Sequence, residues 1–306
     1  MSPLVDLSSL APLGLAWQPN GQATLSGALL ELADHVDQSF LQLARTWGAR
    51  EYRFPTFISA AELNKLDYFR SFPHLVSFPV SLQAGEANLE RFTQGEILNE
   101  RGELLLTETA PVKEVLTPAA CYHLYIHEQG STLDQAQYYT TRNTCFRREQ
   151  YYSPLRRQWG FAMREIVCLG SLEEVTAFLA KCRSQLEALL TAVGLPVRWL
   201  PATDPFFQPS RSPKYIAQRV NPTKTEAVFG DDLAIASVNL HQDHFGHTFD
   251  IARAGASAFT GCVAMGIERW LYAVVTEHGV NPRHWPIFPR ANTRGTQPAL
   301  RLQGDA

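Results

Sequence analysis

FRREQYYSPLRRQWGFAMRE, residues 146–165, decides the fold. Two runs that mix apolar and charged residues flank QYYSPLRRQW, a polar stretch containing Pro154. The pattern predicts a long antiparallel hairpin over 141–169 with a mobile loop at its tip. Successive side chains on a strand point to opposite faces. Arg147 and Glu149 therefore share a face, and so do Phe161, Met163 and Glu165. One face then offers a guanidinium, an aromatic plane and two carboxylates. An arginine fork matches phosphate oxygens and is always charged, and an aromatic plane stacks on a nucleobase. A solvated hairpin face is the plainer reading, and composition alone favours it.

Outward from the hairpin, residues 171–193 give the clearest helical signal. Ser171 and Glu174 make a capping box in SLEE. Val175, Phe178, Leu179, Cys182, Leu186, Leu189, Leu190 and Val193 form one stripe at period 3.6, and Gly194 stops it. Residues 201–224, rich in Pro and Ser, read as loop. LAIASVNLH reads as a strand, and GCVAMGIERWLYAVVTEHG, residues 261–279, as a helix ending at Gly279. Upstream, Leu25, Leu29, Leu32 and Val36 predict a helix over 24–48. Pro55 makes GAREYRFPTFIS an edge strand, and 76–82 and 102–107 are short strand candidates. Strands lead into helices without βαβ alternation, so the expected fold is α+β, an antiparallel sheet flanked by helices.

The chain has 306 residues, 45% hydrophobic and 19% charged, which suits one large globular domain. A net charge of −3 gives no global nucleic-acid footprint. The opening residues show no basic n-region, so no signal peptide is expected, and no apolar run approaches the ~18 residues of a membrane span. The five cysteines are odd in number and form no CxxC pair, which argues for a reducing, cytoplasmic setting.

HQDHFGH, residues 241–247, has the look of a metal site. Its histidines fall at i, i+3 and i+6, whereas zinc helices use i and i+4, and no glutamate lies inside the run. A polar strand end and turn shaped by Gly246 is the better reading. Cys182 lies on the apolar stripe and packs. Cys168 faces away from Glu165, Cys145 shares parity with Arg147, and nothing local decides Cys121. Cys262, Gly266 and Arg269 share a face if the helix has begun by then. A buried free thiol is the default for each cysteine. Arg269, with glycines before it that allow close backbone approach, makes a second phosphate clamp.

FRRE with GFAMRE resembles motif 2 of the class II aminoacyl-tRNA synthetases, GCVAMGIER their motif 3, and GAREYRFP, residues 48–55, their dimer-forming motif 1. SVNLHQDHFGHTFDI, residues 237–251, is similar to the strand before motif 3 in the atypical, zinc-dependent seryl-tRNA synthetases. The likeness covers residues 25–290. It implies the class II antiparallel catalytic sheet, a helix-loop insertion over 171–224, and a homodimer. It also implies roles. Arg147 holds the ATP α-phosphate, Glu149 the adenine amino group and Phe161 the adenine plane; Arg157 and Arg269 hold the outer phosphates, with magnesium. Cys121, Glu165 and Cys262 match the zinc ligands, leaving a position for a substrate amino group. Asn239 and His241 line the amino-acid pocket.

The stretch before the first helix is too short for the tRNA-binding domain of such enzymes. In length and motif order the chain resembles their truncated homologues, the amino acid:[carrier protein] ligases. That resemblance implies activation of glycine or alanine with ATP and transfer to the phosphopantetheine thiol of a small acidic carrier, with no tRNA. PSRSPKYIAQRVNPTK, residues 209–224, holds Arg211, Lys214, Arg219 and Lys224 and no acid. With helix 171–193 it is the candidate carrier dock, though a solvated loop is equally compatible with its charge. Residues 1–290 are expected to form the catalytic domain and 291–306 a disordered tail. Three rivals stand beside this reading: charging of tRNA or a protein lysine, a non-catalytic regulatory paralogue, and a histidine-based zinc hydrolase.

Overall fold

The structure, a computed structural model, describes residues 7–289. The predicted tail, 291–306, lies outside them. The main sheet has seven strands: β1 (Arg50–Tyr52), β2 (Gln137–Phe146), β3 (Gly160–Gly170), β4 (Val197–Pro201), β5 (Lys224–Phe229), β6 (Leu233–Gln242) and β7 (Phe259–Gly266). Their spatial order is β1-β2-β3-β7-β6-β5-β4. Only the β1–β2 pair is parallel; every other pair in this sheet is antiparallel. The sheet is the expected antiparallel, helix-flanked class, and the quoted hairpin is its centre. β2 and β3 pair from Gln137↔Leu169 to Phe146↔Gly160. β1 lies at the sheet edge, as expected, although it ends before Pro55.

Helices α1 (Gly27–Arg45), α2 (Leu172–Ala192) and α4 (Ile267–His278) cover one face; α3 (Pro213–Val220) lies elsewhere. The capping box forms: Ser171 N donates to Glu174 Oε2 at 2.7 Å and Glu174 N to Ser171 Oγ at 3.2 Å. The α2 stripe buries Phe178, Cys182 and Leu186 against Ile166, Cys168, Val263 and Met265 of the sheet. Each Phe, Leu, Ile, Val or Met among them contributes roughly 1.5–3 kcal/mol by leaving water. Trp270 of α4 is fully buried, meets Phe40 edge-on at 4.8 Å, and donates Nε1 to Ile235 O at 3.0 Å. The alternate residues of the same strands, Val167, Cys262 and Ala264, join a second cluster with Tyr125, Phe245 and Phe249. The candidate site opens on that face.

Four local expectations fail. Residues 261–279 are not one helix: 259–266 form β7 and α4 begins at Ile267. Cys262 therefore projects from a strand and shares no helical face with Arg269. Gly261 shows why a strand fits. A Cβ there would stand 2.9 Å from Leu179 and Val175 side chains, so only glycine lets α2 sit this close to β7. Residues 76–82 and 102–107 form no strands, only the isolated bridges Leu82↔Thr109 and Leu98↔Leu104. Residues 201–224 are not all loop. Ser212 caps α3 by accepting from Tyr215 N at 3.3 Å, and Pro213 takes the first turn. Finally, the helix predicted over 24–48 spans Gly27–Arg45, because Gln22–Leu25 pairs with Leu15–Gln18 as a separate hairpin. Among the described residues, no helix is long and apolar enough to cross a membrane.

Candidate active site

Residues directly opposite across an antiparallel pair share a face. Glu165 of β3 lies opposite Ala264, and Asn239 of β6 opposite Cys262, so Glu165, Cys262 and Asn239 project together. Cys121 reaches them from the turn before the helix Tyr122–His127. The backbone fixes that turn: Ala120 N and Cys121 N donate to Glu165 Oε1 at 3.0 and 3.3 Å. The ligand atoms of Cys121, Glu165 and Cys262 all lie within 4.8 Å of one another, and all three residues are buried.

This trio is electrostatically incomplete. Glu165 Oε2 is buried with no hydrogen-bond partner. Burial, the Cys262 contact and the Glu165 charge push the Cys121 thiol well above its usual range. The Cys121 contact pulls the Cys262 thiol down, but burial and Glu165 outweigh it and the net shift is upward. A buried carboxylate beside two such thiols calls for a cation. Zinc binds sulfur at about 2.3 Å and carboxylate oxygen at about 2.0–2.2 Å, and a triangle of this size admits it with one position open. The residues fit the ion.

Neighbouring groups hold the trio in place. Asn239 Nδ2 donates to Cys262 Sγ at 3.3 Å and to Ser237 Oγ at 3.0 Å. His241 Nε2 lies 3.5 Å from Cys262 Sγ, while its Nδ1 meets Thr260 Oγ1 at 3.1 Å and Tyr125 Oη at 3.2 Å. Burial pushes His241 down to about 4, so its ring is neutral near pH 7. The rest of the histidine run turns into the short helix His244–Thr248 and gives no ligand to the trio.

The same cleft, of about 640 Å³, is also lined by Arg147, Glu149, Arg157, Phe161 and Arg269. All ten residues expected to bind nucleotide, metal or amino acid thus meet in one cavity. Arg147 and Glu149 lie just past the end of β2 rather than on it. Arg147 Nε donates to Pro118 O at 3.0 Å, and its guanidinium stands 5.3 Å from the Phe161 ring centre. Arg269 Nε donates to Arg156 O at 2.9 Å and Nη1 to Ala234 O at 2.8 Å. Burial, then the charges of Arg147 and Arg157, push Arg269 below its ordinary range. Three guanidinium groups crowded in one cleft favour a polyanion between them.

Several residues here were missed in the sequence. Glu268 accepts from Ala162 N at 2.9 and 3.0 Å, bracing the strand beside Phe161, and burial pushes it up to about 7. Its place next to Arg269 was the only sequence signal. Tyr125 and Thr260, which hold His241, and Asp204, which lines the cleft, offered none, because long-range folding brings them there.

Residues 115–278 match the family described as tRNA synthetase class II core domain (G, H, P, S and T). The "Amino acid--[acyl-carrier-protein] ligase 1" of Bradyrhizobium diazoefficiens is 34% identical over 266 residues, 83% of this chain and 79% of that protein. The chain belongs to this ligase family. The ligase is also 24% identical over 288 residues to the type-2 serine--tRNA ligase of Methanothermobacter thermautotrophicus, covering 86% of itself but 54% of that enzyme. It shares a fold with the seryl-tRNA synthetase of M. kandleri solved with A. aeolicus tRNASec. There the TM-score is 0.75 at 20% identity, over 89% of this chain and 56% of that one.

In the ligase, the basic segment 209–224 is partly neutralised by acids from elsewhere in the chain. Lys214 Nζ binds Asp67 Oδ2 at 3.0 Å. Lys224 turns into the cleft, to Asp204 Oδ1 at 2.9 Å and Glu226 Oε1 at 3.3 Å. Arg211 and Arg219 have no acid partner among the described residues. The α2 helix expected to share the dock commits its apolar stripe to the core.

Proposed function

We propose that the ligase activates a small amino acid, glycine or alanine, with ATP and passes it to the phosphopantetheine thiol of an acyl carrier protein. The observation that carries the reading is the convergence of Cys121, Glu165 and Cys262 with Arg147, Phe161 and Arg269 in one cleft. The names of the curated relatives, acyl-carrier-protein ligases, supply the acceptor.

In the first half-reaction an amino-acid carboxylate oxygen attacks the α-phosphorus of ATP, the bond to the β-phosphate oxygen breaks, and pyrophosphate leaves. Phe161 stacks on adenine and Glu149 accepts from its amino group. Arg147 neutralises the α-phosphate, Arg157 and Arg269 the outer phosphates, and magnesium travels with them. Fixed charges aimed at the reacting phosphate are what such a transfer needs. Cys121, Glu165 and Cys262 hold zinc, which supplies a Lewis-acid position for the substrate amino group. Asn239 and His241 set the walls beside it. In the second half-reaction the carrier's sulfur attacks the aminoacyl carbonyl, the carbon–oxygen bond to AMP breaks, and the thiol proton passes to solvent. Arg211 and Arg219, with Lys214 in the same segment, face the acidic carrier. Two copies associate through residues 48–55, and tRNA is not an acceptor.

Amino-acid-dependent ATP–pyrophosphate exchange, run with each of the twenty amino acids, tests the activation. Loading of a phosphopantetheinylated carrier, against tRNA as competitor acceptor, tests the transfer. Exchange with glycine or alanine and charging of the carrier alone is the expected result. Charging of tRNA would refute the acceptor.

A further inference from the structure

The hairpin Leu15–Gln18 with Gln22–Leu25 has no part in the chemistry above. Its turn nevertheless grips the loop between β2 and β3 at two points. Gly21 O accepts from Trp159 N at 2.9 Å, at the exit of the loop. The Gly21 α-carbon lies against the ring of Tyr152: a Cβ on Gly21 would meet Tyr152 Cγ and Cδ1 at 2.5 Å. Gly21 also holds φ +86, a left-handed backbone that favours glycine.

Tyr152 orders the entrance of the same loop. Its hydroxyl accepts from Arg148 Nη1 at 2.8 Å and from Glu149 N at 3.4 Å. The Arg148 guanidinium is 5.8 Å from the Tyr152 ring centre and 5.3 Å from that of Trp159, whose Nε1 donates to Ser77 Oγ at 2.7 Å. A path of direct contacts thus runs from Gly21 through Tyr152 to the backbone of Glu149. The loop needs such support. Leu155, fully buried, sits at φ +57, a conformation a bulky side chain adopts only where its surroundings hold it.

We infer that Gly21 is a positioning residue for the nucleotide: the N-terminal hairpin braces the ATP loop and, through Tyr152, sets where Glu149 meets ATP. The inference rests on the proposed role of Glu149. A glycine is required because any side chain at residue 21 displaces the Tyr152 ring and loosens the Glu149 backbone with it.

The test is a double-mutant cycle on the full chain, read as MgATP affinity by calorimetry. Gly21→Ala weakens MgATP by about tenfold or more, as misplacement of a binding group does. It adds nothing further once Tyr152→Ala is present, because the two act along one path. Gly102→Ala controls for backbone strain alone: Gly102 holds φ +74, and nothing lies within 4 Å of a Cβ there. That variant keeps its affinity. If Gly21→Ala fails to fold, Tyr152→Phe, which loses only the hydroxyl, decides: weakened MgATP supports the brace and unchanged MgATP overturns it. The inference is also overturned if Gly21→Ala binds MgATP as the wild type does, if the two losses multiply, or if the wild type does not bind MgATP. Wild type that binds MgATP with the expected cycle but shows no exchange ends the proposed activation and leaves the brace intact.

Discussion

Arg157 Nη1 donates to Glu149 Oε2 at 2.7 Å, so the residues proposed for opposite ends of ATP hold each other. Binding the nucleotide trades this pair for adenine on one side and phosphate on the other. Glu149→Ala therefore loses a charge-assisted hydrogen bond of roughly 1.5–3 kcal/mol, or about 10–150-fold in KM for ATP. The preference for ATP over GTP shrinks with it. Exchange kinetics with both nucleotides check this.

Arg269 bridges Arg156 O and Ala234 O, so its removal strands two carbonyls as well as the phosphate charge. Arg269→Ala is expected to lower kcat/KM for exchange by roughly 10²–10³ and to lower Tm. Arg269→Lys keeps the charge but not the fork. It should melt nearer the wild type while remaining impaired, a split that kinetics and thermal denaturation read separately.

The sequence predicted well whatever its near neighbours determine. The alternation in 146–165 placed the hairpin, and Ser171 with Glu174 placed the start of α2, because both signals act within a few residues. The strand β7 was hidden because a fully buried strand has no alternation, and VAM reads equally as helix. The α3 helix was masked by its Pro and Ser content, although Ser212–Pro213 is itself a start signal. Motif resemblance, not spacing, joined Cys121, Glu165 and Cys262: strand register and a distant turn bring them together, and no local period connects them. The free charge of the basic segment was not legible for the same reason. Its charges were counted along the chain, while the distant Asp67 and Asp204 pair with Lys214 and Lys224 in space and leave Arg211 and Arg219 without an acid among the described residues.

Glu174 links the α2 cap to Arg253, which donates to it at 2.8 and 3.1 Å. Those bonds, then the Ser171 N–H, hold its carboxyl at about 2 instead of 4.5. The folded value lies below the unfolded one, so the stabilisation is full above pH 4.5 and is lost as pH falls toward 2. Glu174→Gln should cost up to about 1 kcal/mol at pH 7, since both partners are partly exposed. The gap from wild type should close in acid. Chemical denaturation at several pH values measures it.

Arg211→Glu with Arg219→Glu is expected to raise KM for the carrier and leave exchange unchanged, because neither residue lines the main cleft. The effect should fade as salt screens the encounter. Unchanged transfer at low salt would remove this face as the dock.

The central claim is that the Cys121–Glu165–Cys262 trio holds the ion on which amino-acid activation depends. It is tested most directly by glycine- and alanine-dependent exchange in wild type and Cys262→Ser, with zinc per chain and MgATP affinity measured on the same samples. The account predicts about one zinc per wild-type chain and exchange with a small amino acid. In Cys262→Ser both are lost while MgATP still binds. Undiminished exchange by a zinc-free Cys262→Ser chain would contradict it.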